Sequence, residues 1–274
     1  MSLVVNTNIS SITAERSLAT TRSAMETAMA RLASGKRINS ASDDAAGVAV
    51  AARMSSQIQG LNMAVRNAND GISLSKTAEG AMDEVDTMLH RMRELAMQAA
   101  NGTYTAEDRT YLNHEFTRLT EEIDRVATQT KWNQDIALSN GSNSTIDIQV
   151  GLDSGHTITV SLTDISTSAL GIGSLAVSTA SGATGALSTI DAALDSLNEA
   201  RAKLGAVTNR LEHTVSNLMN IVQHTEEAKS RVLDTDFAAE SASLARAQVL
   251  SQAGTAMLAQ ANQSTQYILT LLRG

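Results

Sequence analysis

The amino-acid sequence predicts a mainly α fold, an elongated coiled-coil or helical bundle that carries one small β-hairpin. Three observations support this prediction. Apolar residues recur at steps of three and four along most of the 274 residues, which places them on one side of a helix. Proline, the main breaker of long helices, is absent. Aromatic residues make up only 2% of the chain, so contacts between helices must come mainly from Ala, Leu, Val, Ile and Met.

The first predicted helix carries a sparse apolar stripe, made of Ile9, Ile12, Leu18, Met25, Met29 and Leu32. We expect this helix to end near Ser34–Gly35, where the glycine can serve as a C-cap. Asp43–Asp44 is the predicted start of the second helix, because carboxylates there cap free N–H groups and face the positive end of the helix dipole.

The second predicted helix has the clearest pattern in the chain. Its apolar stripe extends from Met54 to Ala99, which corresponds to about thirteen turns if the helix is continuous. Asn101–Gly102 is the predicted end. Thr105 is the predicted N-cap of a third helix, whose stripe continues to about Gln129.

The pattern between the third and fourth predicted helices is different. Apolar residues alternate with period two on both sides of the turn sequence Gly151–Gly155, which predicts a β-hairpin near residues 140–165. The alternating residues are Ile146, Ile148, Val150, Ile158, Val160 and Leu162. Residues 171–185 are rich in Gly, Ser, Thr and Ala, a composition that predicts an exposed loop.

Two further helices are predicted after this loop. The stripe of the first extends from Leu194 to Val222. The last helix carries a 3.5-residue seam of Ala247, Leu250, Gly254, Met257, Ala261, Ser264, Ile268 and Leu271, with Leu272 beside it. We expect another part of the chain or another copy to cover this seam, because burying a few Leu or Ile side chains is worth several kcal/mol, at about 25 cal/mol per Å². Head-to-tail contacts between copies build an open helical array.

Composition and motifs exclude several classes of function. A formal net charge of −8, few aromatic residues and no block of Lys or Arg are not typical of a nucleic-acid-binding protein. No apolar run reaches about 18 residues, so no membrane insertion is expected. The first residues lack the pattern of a cleaved signal peptide. Cysteine is absent, which excludes disulfides and thiolate metal sites.

No catalytic, cofactor-binding or metal-binding residue is predicted. His114–Glu115 begins like a zinc-protease motif, but Arg118 stands where the second histidine would be. Asp43–Asp44 is better explained as a helix start than as an acid–base pair. Four methionines of the second helix are interpreted as seam fillers rather than as ligands, namely Met82, Met88, Met92 and Met97.

Residues 30–47, with the sequence A-R-L-A-S-G-K-R-I-N-S-A-S-D-D-A-A-G, resemble the N-terminal conserved region of bacterial flagellins. Four other segments agree with that family in order and spacing: residues 1–10, 91–102, 122–125 and 271–274. The resemblance covers residues 1–170 and 186–274. It implies a structural subunit, not an enzyme, that self-assembles into the extracellular flagellar filament for swimming motility.

The resemblance also implies a division into domains. Residues 1–43 and 231–274 would form an inner domain that lines the tube of the filament, and residues 44–170 and 186–230 would form a rod domain. Residues 171–185 would stand in place of the outer domains of larger members. The inner domain would supply the assembly contacts, at Ile9, Ile12, Leu18, Met25, Met29, Leu32, Leu250, Met257, Ile268, Leu271 and Leu272.

The partners implied by the resemblance are further copies of the chain, an export chaperone, the filament cap and the junction proteins. Export would use the flagellar type III apparatus without a cleaved signal peptide. Arg91, Leu95 and Glu115 match rod residues that pack between subunits and contribute to recognition by Toll-like receptor 5. O-linked glycans are expected in the region of Ser139, Ser142, Ser144, Thr145, Ser174, Ser178, Thr179 and Ser181.

Two alternatives remain open from the sequence. A hook–filament junction protein has similar ends, although the match through residues 91–102 disfavours it. A soluble helical signalling or adaptor module would also carry long heptad helices, but the hairpin and the Gly/Ser-rich segment disfavour that class.

Overall fold

The computed structural model describes the backbone of residues 7–133, 136–137 and 145–273, and the side chains of residues 7–133 and 145–263. The chain divides into two compact units. Residues 1–56 and 224–274 form the first, here called the terminal unit, and residues 57–223 form the second, the central unit. In the described residues, the elements are α1 (Ile9–Ser34), α2 (Ala45–Ala100), α3 (Ala106–Gln129), β1 (Lys131–Trp132), β2 (Ile136–Ala137), β3 (Thr145–Gln149), β4 (Thr157–Ser161), α4 (Ala180–Leu233) and α5 (Phe237–Arg273).

The ends of α1 confirm the local prediction. The side chain of Asn8 accepts a hydrogen bond from the Ser11 N–H at 3.1 Å and so caps the N-terminus. Gly35 follows the last turn with φ of 70°, a left-handed conformation that glycine adopts without steric cost. The predicted C-cap is therefore correct.

The segment between α1 and α2 is held by main-chain and carboxylate hydrogen bonds within the terminal unit. The Arg37 N–H donates to the Leu233 carbonyl at 2.7 Å, and the Thr235 N–H donates to the Gly35 carbonyl at 3.1 Å. The Asp44 carboxylate accepts from the Gly47 N–H at 2.9 Å. Asp44 thus caps α2 as predicted, whereas Asp43 does not.

Unlike Asp44, Asp43 stabilises the turn that precedes α2. It accepts from the backbone N–H of Ser40 at 2.9 Å and of Asn39 at 3.1 Å. The backbone hydrogen bond from Ser40, followed by that from Asn39, holds the pKa of Asp43 below its ordinary value.

α2 is a single helix of 56 residues, which confirms the continuous stripe predicted for it. Thr105 caps α3 through a capping box: its hydroxyl accepts from the Asp108 N–H, and the Asp108 carboxylate accepts from the Thr105 N–H. Both predicted boundaries of α3 are correct.

The core of the central unit lies between α2, α3, α4 and the β-hairpin. Its largest fully buried side chains include Phe116, Met82, Leu89, Met92, Ile123, Ile190, Leu197 and Leu204. Met82 and Met92 fill this core as predicted, and Met88 packs at its edge. The prediction is wrong for Met97, which is 56% exposed, because it lies on the outer face of α2.

The predicted hairpin is confirmed. β3 pairs with β4 in antiparallel register from Thr145↔Ser161 to Gln149↔Thr157. Its inward residue Ile158 packs with Ala68 and Leu211 of the flanking helices. β1 and β2 form a second, two-residue pair that the sequence pattern does not predict.

The prediction of an exposed loop over residues 171–185 is wrong. Ile172, Val177 and Ala183 are fully buried, and α4 begins at Ala180. Thr179 accepts the Gly182 N–H at 3.1 Å through its hydroxyl and so caps α4. Small residues tolerate both helix and loop, and the few apolar ones among them are spaced so that they face the core.

Candidate assembly surface

The terminal unit is built on an antiparallel contact between α1 and α5. Near one end, the Asn8 amide donates to the Ala261 carbonyl at 3.0 Å and the Ser11 hydroxyl donates to the Asn262 amide oxygen at 3.0 Å. Towards the other end, Arg31 approaches Glu240 at 3.8 Å. The two helices are therefore paired in register over most of α1.

The facing sides of the two helices follow a heptad pattern of mostly small residues. The least exposed positions of α1 are Ser11, Ala14, Leu18, Thr21, Met25, Ala28 and Leu32, with the half-buried Arg31 beside Leu32. Those of α5 are Glu240, Leu244, Ala247, Ser251, Gly254, Leu258 and Ala261. Small side chains allow the two backbones to approach closely. We call these two rows the seam.

The structure places five of the eight predicted assembly residues with described side chains off the seam. Leu18, Met25 and Leu32 lie on it, but Ile9, Ile12 and Met29 do not. In α5, Ala247, Gly254 and Ala261 lie on it as predicted, whereas Ser251 and Leu258 occupy the positions assigned to Leu250 and Met257. A 3.5-residue repeat permits either choice, because steps of three and four differ by one residue. The exposed fractions of the displaced residues are Ile9 68%, Ile12 57%, Met29 46%, Leu250 52% and Met257 64%.

These displaced residues and Val249 are exposed apolar side chains on the outside of the α1–α5 pair. We call this set the outer apolar face: Ile9, Ile12, Met29, Val249, Leu250 and Met257. Isolated apolar residues on a protein surface are ordinary, but several on one helix pair are typical of an interaction site.

A groove with a volume of about 370 Å³ runs between the two helices, and Leu250 and Met257 are the members of this set that line it. The α1 side is lined by small residues that include Ser10, Ala14 and Ser17, and the α5 side by Leu250 and Met257. Gly254 forms part of the lining, and a side chain there would begin 3.4 Å from the Leu18 Cδ1 atom. A groove with small residues on one side and long apolar residues on the other can accept the side chains of another helix.

The side chains of three other predicted assembly residues, Ile268, Leu271 and Leu272, lie outside those that the structure describes. The backbone of α5 continues to Arg273.

Arg91 and Glu115 join α2 to α3 on the surface of the central unit. The Arg91 Nε donates to Glu115 at 2.8 Å, and its Nη1 donates to Glu94 at 2.8 Å. The hydrogen bond to Glu115, followed by that to Glu94, raises the pKa of Arg91. Both side chains of the Arg91–Glu115 pair remain about half exposed.

Leu95 belongs to the core rather than to this surface. Its side chain is 1% exposed and packs in the core of the central unit. A side chain buried in the core of its own subunit is not available for the predicted packing between subunits or for direct contact with a receptor. Arg91 and Leu95 are four residues apart on α2, yet the Arg91 side chain is half exposed and the Leu95 side chain is buried.

The residues predicted for O-glycosylation fall into three groups. Ser174, Ser178 and Ser181 are exposed. Thr145 and Thr179 are exposed too, but Thr145 lies in β3 and the Thr179 hydroxyl caps α4. Ser139, Ser142 and Ser144 lie outside the described residues.

Two negative findings apply to the described part of the chain. Its His, Asp and Glu residues form no cluster of three that could hold a metal ion. None of its helices combines the length and the apolar character needed to cross a membrane.

Comparison with known proteins gives two matching family models. The model of the bacterial flagellin N-terminal helical region matches residues 5–144. The model of the bacterial flagellin C-terminal helical region matches residues 187–272. The two matches include both helices of the seam.

Individual relatives agree with these matches. A flagellin of Halalkalibacterium halodurans is 43% identical over 273 residues, and the alignment covers 99% of this chain and 100% of that protein. The flagellar filament 33 kDa core protein of Treponema phagedenis is 38% identical over 286 residues, with 99% and 100% covered. The crystal structure of Bacillus cereus flagellin has a TM-score of 0.50 and 34% identity, and the match covers 56% of this chain and 88% of that one.

Proposed function

Because this chain belongs to the bacterial flagellin family, we propose that the outer apolar face of its α1–α5 pair is the surface that contacts neighbouring copies. The chain is a structural subunit that polymerises with copies of itself into the flagellar filament, which lies outside the cell. No finding favours a junction protein or a signalling module.

One observation carries this proposal, namely the exposure of large apolar residues beside a seam of small ones. The seam occupies the facing sides of α1 and α5, so it leaves Leu250 and Met257 free for contacts outside the pair. Full burial of one such side chain is worth about 1.5–3 kcal/mol. The association entropy lost by each subunit offsets part of this gain, and repetition along a filament adds many such contacts.

The division into domains is part of the same proposal. Residues 1–43 and 231–274, the inner domain, lie within the terminal unit. Residues 44–170 and 186–230, the rod domain, include the whole central unit apart from residues 171–185. Those fifteen residues are short compared with a domain, which supports their place as a substitute for outer domains.

We further propose that an export chaperone covers the apolar face of α5 before assembly and that the filament cap and junction proteins contact the terminal unit. Exposed Val249, Leu250 and Met257 support the chaperone, because an apolar face of an unassembled subunit favours a transient partner. Export is proposed to proceed through the type III apparatus without a cleaved signal peptide.

Recognition by Toll-like receptor 5 is proposed to involve Arg91 and Glu115, with Leu95 acting only through its packing beneath them. The half-exposed ion pair supports this assignment. If O-linked glycans are added, the exposed hydroxyls of Ser174, Ser178 and Ser181 are the sites best suited among the described residues.

Elongation of filament seeds tests the assembly surface. Purified full-length chain is added to sonicated filament fragments, and filament length is measured by electron microscopy. Leu250→Glu is expected to lower the elongation rate at least tenfold, because it replaces an exposed apolar side chain with a charge that a contact would have to bury. Gln252→Glu, at an exposed position of the same helix, adds the same charge without removing apolar area and is expected to elongate at a rate within about twofold of the natural chain. Equal rates for Leu250→Glu and the natural chain would exclude this surface.

A further inference from the structure

Five methionine side chains are well exposed in the described residues: Met29, Met63, Met97, Met219 and Met257. Met257 is the most exposed of them, at 64%. It is also part of the groove between α1 and α5. Its thioether is therefore open to small solutes in a subunit that has not yet assembled.

The surroundings of the sulfur atoms distinguish these methionines. The Met63 Sδ accepts a hydrogen bond from the Arg66 guanidinium, and the Met97 Sδ accepts one from the Arg93 Nη1 at 3.7 Å. Among the described side chains, none donates to the Sδ of Met257, Met29 or Met219, and of these three only Met257 lines the groove. A thioether reacts with peroxides through a sulfur lone pair, so a cation that donates to that lone pair slows the reaction.

We propose that Met257 is a site of reversible oxidation by peroxides in the unassembled subunit and that its oxidation blocks assembly. The second part rests on the proposed function of the outer apolar face. In the reaction, the sulfur lone pair attacks one peroxide oxygen and the O–O bond breaks. The sulfur becomes a sulfoxide, and hydrogen peroxide is reduced to one molecule of water.

The lining of the groove explains why adding one oxygen atom to Met257 would weaken a contact with a neighbouring copy. Oxidation turns a flexible apolar side chain into a polar one with a strong acceptor. The hydroxyls of Thr13 and Thr21 that line the groove already donate to the Ile9 and Ser17 carbonyls of their own helix. A sulfoxide buried against a neighbouring copy would lose its water partners, and of the side chains that line the groove only the Ser10 and Ser17 hydroxyls would be left to donate to it.

Peptide mass spectrometry after timed exposure to hydrogen peroxide tests the reactivity. In the monomer, Met257 is expected to form sulfoxide about threefold faster than Met97, whose exposure is similar at 56% but whose sulfur accepts from Arg93. In preformed filaments, Met257 is expected to react at least about fivefold more slowly than in the monomer. Equal rates for Met257 and Met97 in the monomer would overturn the proposed site.

Elongation of seeds tests the consequence. Peroxide-treated natural chain is expected to elongate at least about fivefold more slowly than untreated chain. Treatment with both methionine sulfoxide reductases and a dithiol, which is oxidised to the disulfide as the sulfoxide is reduced, is expected to restore the rate. Met257→Leu should elongate normally with and without peroxide. Met257→Gln, which imitates the polar product, should elongate slowly without any oxidant. Met97→Leu and Met97→Gln are the matched controls and should behave like the natural chain.

The outcomes separate this proposal from the proposed function. Untreated natural chain that fails to elongate seeds contradicts the proposed function, while the oxidation rates in the monomer still decide the reactivity of Met257. If the untreated natural chain elongates normally but peroxide slows Met257→Leu as much as it slows the natural chain, oxidation of Met257 does not control assembly. The proposed function is unaffected by that result. Circular dichroism of each variant shows whether the helices are intact.

Discussion

Gly182 lies in the first turn of α4, where a side chain would meet main-chain atoms. A Cβ atom there would be 2.7 Å from the Ala176 carbonyl oxygen, which cannot move as freely as a side chain. We expect Gly182→Ala to lower the free energy of unfolding of the central unit by about 1–3 kcal/mol. Urea unfolding followed by the fluorescence of Trp132, the only tryptophan in the chain, measures the change because Trp132 packs against this core.

Gly205 is the matched control for this substitution. It lies in the interior of the same helix, and a Cβ atom there would meet nothing within 4 Å, so Gly205→Ala should raise the free energy of unfolding by about 0.5–1 kcal/mol. A Gly182→Ala chain as stable as Gly205→Ala would show that the start of α4 is wrongly placed.

The capping box of α3 permits a second test of how one residue contributes to the stability of the central unit. Thr105→Ala removes the hydroxyl that accepts the Asp108 N–H and is expected to destabilise the central unit by about 1 kcal/mol. Thr110→Ala, in the same helix at an exposed position whose hydroxyl bonds only to the Ala106 carbonyl, should leave stability unchanged or slightly raised. Chemical unfolding at neutral pH measures both variants.

Acid should weaken the same capping box. The Thr105 hydroxyl, followed by the Thr105 N–H, lowers the pKa of Asp108 from its ordinary value of 3.8. Since the pKa is lower in the folded chain than in the unfolded one, this contribution is complete above that ordinary value. It is lost as pH falls through the lower folded pKa. The stability difference between the natural chain and Thr105→Ala should therefore narrow from about pH 6 to about pH 2. A difference that stays constant over this range contradicts the role of the carboxylate.

At the scale of the elements, helix ends could be predicted because caps depend on a few neighbouring residues. Gly35, Asp44 and Thr105 act where the sequence places them. Residues 171–185 could not be predicted in the same way, because small residues carry little local preference and the burial of Ile172 and Val177 depends on distant helices.

The side of α5 that faces α1 was the least predictable feature of the candidate site. The sequence indicates a 3.5-residue repeat, but Leu250 and Met257 are larger and more apolar than Ser251, and their size favours them as seam residues. The structure instead places Ser251 and Leu258 inside the pair, so a smaller residue takes the position of Leu250 and a leucine takes that of Met257. If the outer apolar face contacts other copies, this arrangement has a physical reason: small residues bring the two helices together and leave the long side chains for the contacts between copies.

A comparison of Leu258 with Leu250 tests this arrangement of the pair. Leu258→Ala removes a seam contact and is expected to reduce the helical signal of the isolated subunit and to raise its hydrogen exchange in α1 and α5. Leu250→Ala should leave both measurements unchanged while it slows the elongation of seeds. The reverse result, in which Leu250→Ala loosens the helix pair and Leu258→Ala does not, would place Leu250 on the seam, as the sequence pattern predicts.

For the whole molecule, two kinds of sequence information point to function. The apolar repeat in the sequence of α5 indicates that this helix associates with another helix, but it does not identify the assembly. The segment around residues 30–47 indicates the flagellin family, which the family models and relatives confirm. Leu95 shows the limit of transfer from a family, because a residue can match a recognition motif and still be buried in the isolated chain.

The most direct measurement is a cryo-electron microscopy map, with resolved side chains, of filaments grown from this chain. Leu250 and Met257 are expected to pack against a neighbouring copy, while Ser251 and Leu258 contact α1 of their own copy. A map in which Leu250 and Met257 face solvent, or in which they face α1 of the same copy, would contradict the proposed assembly surface.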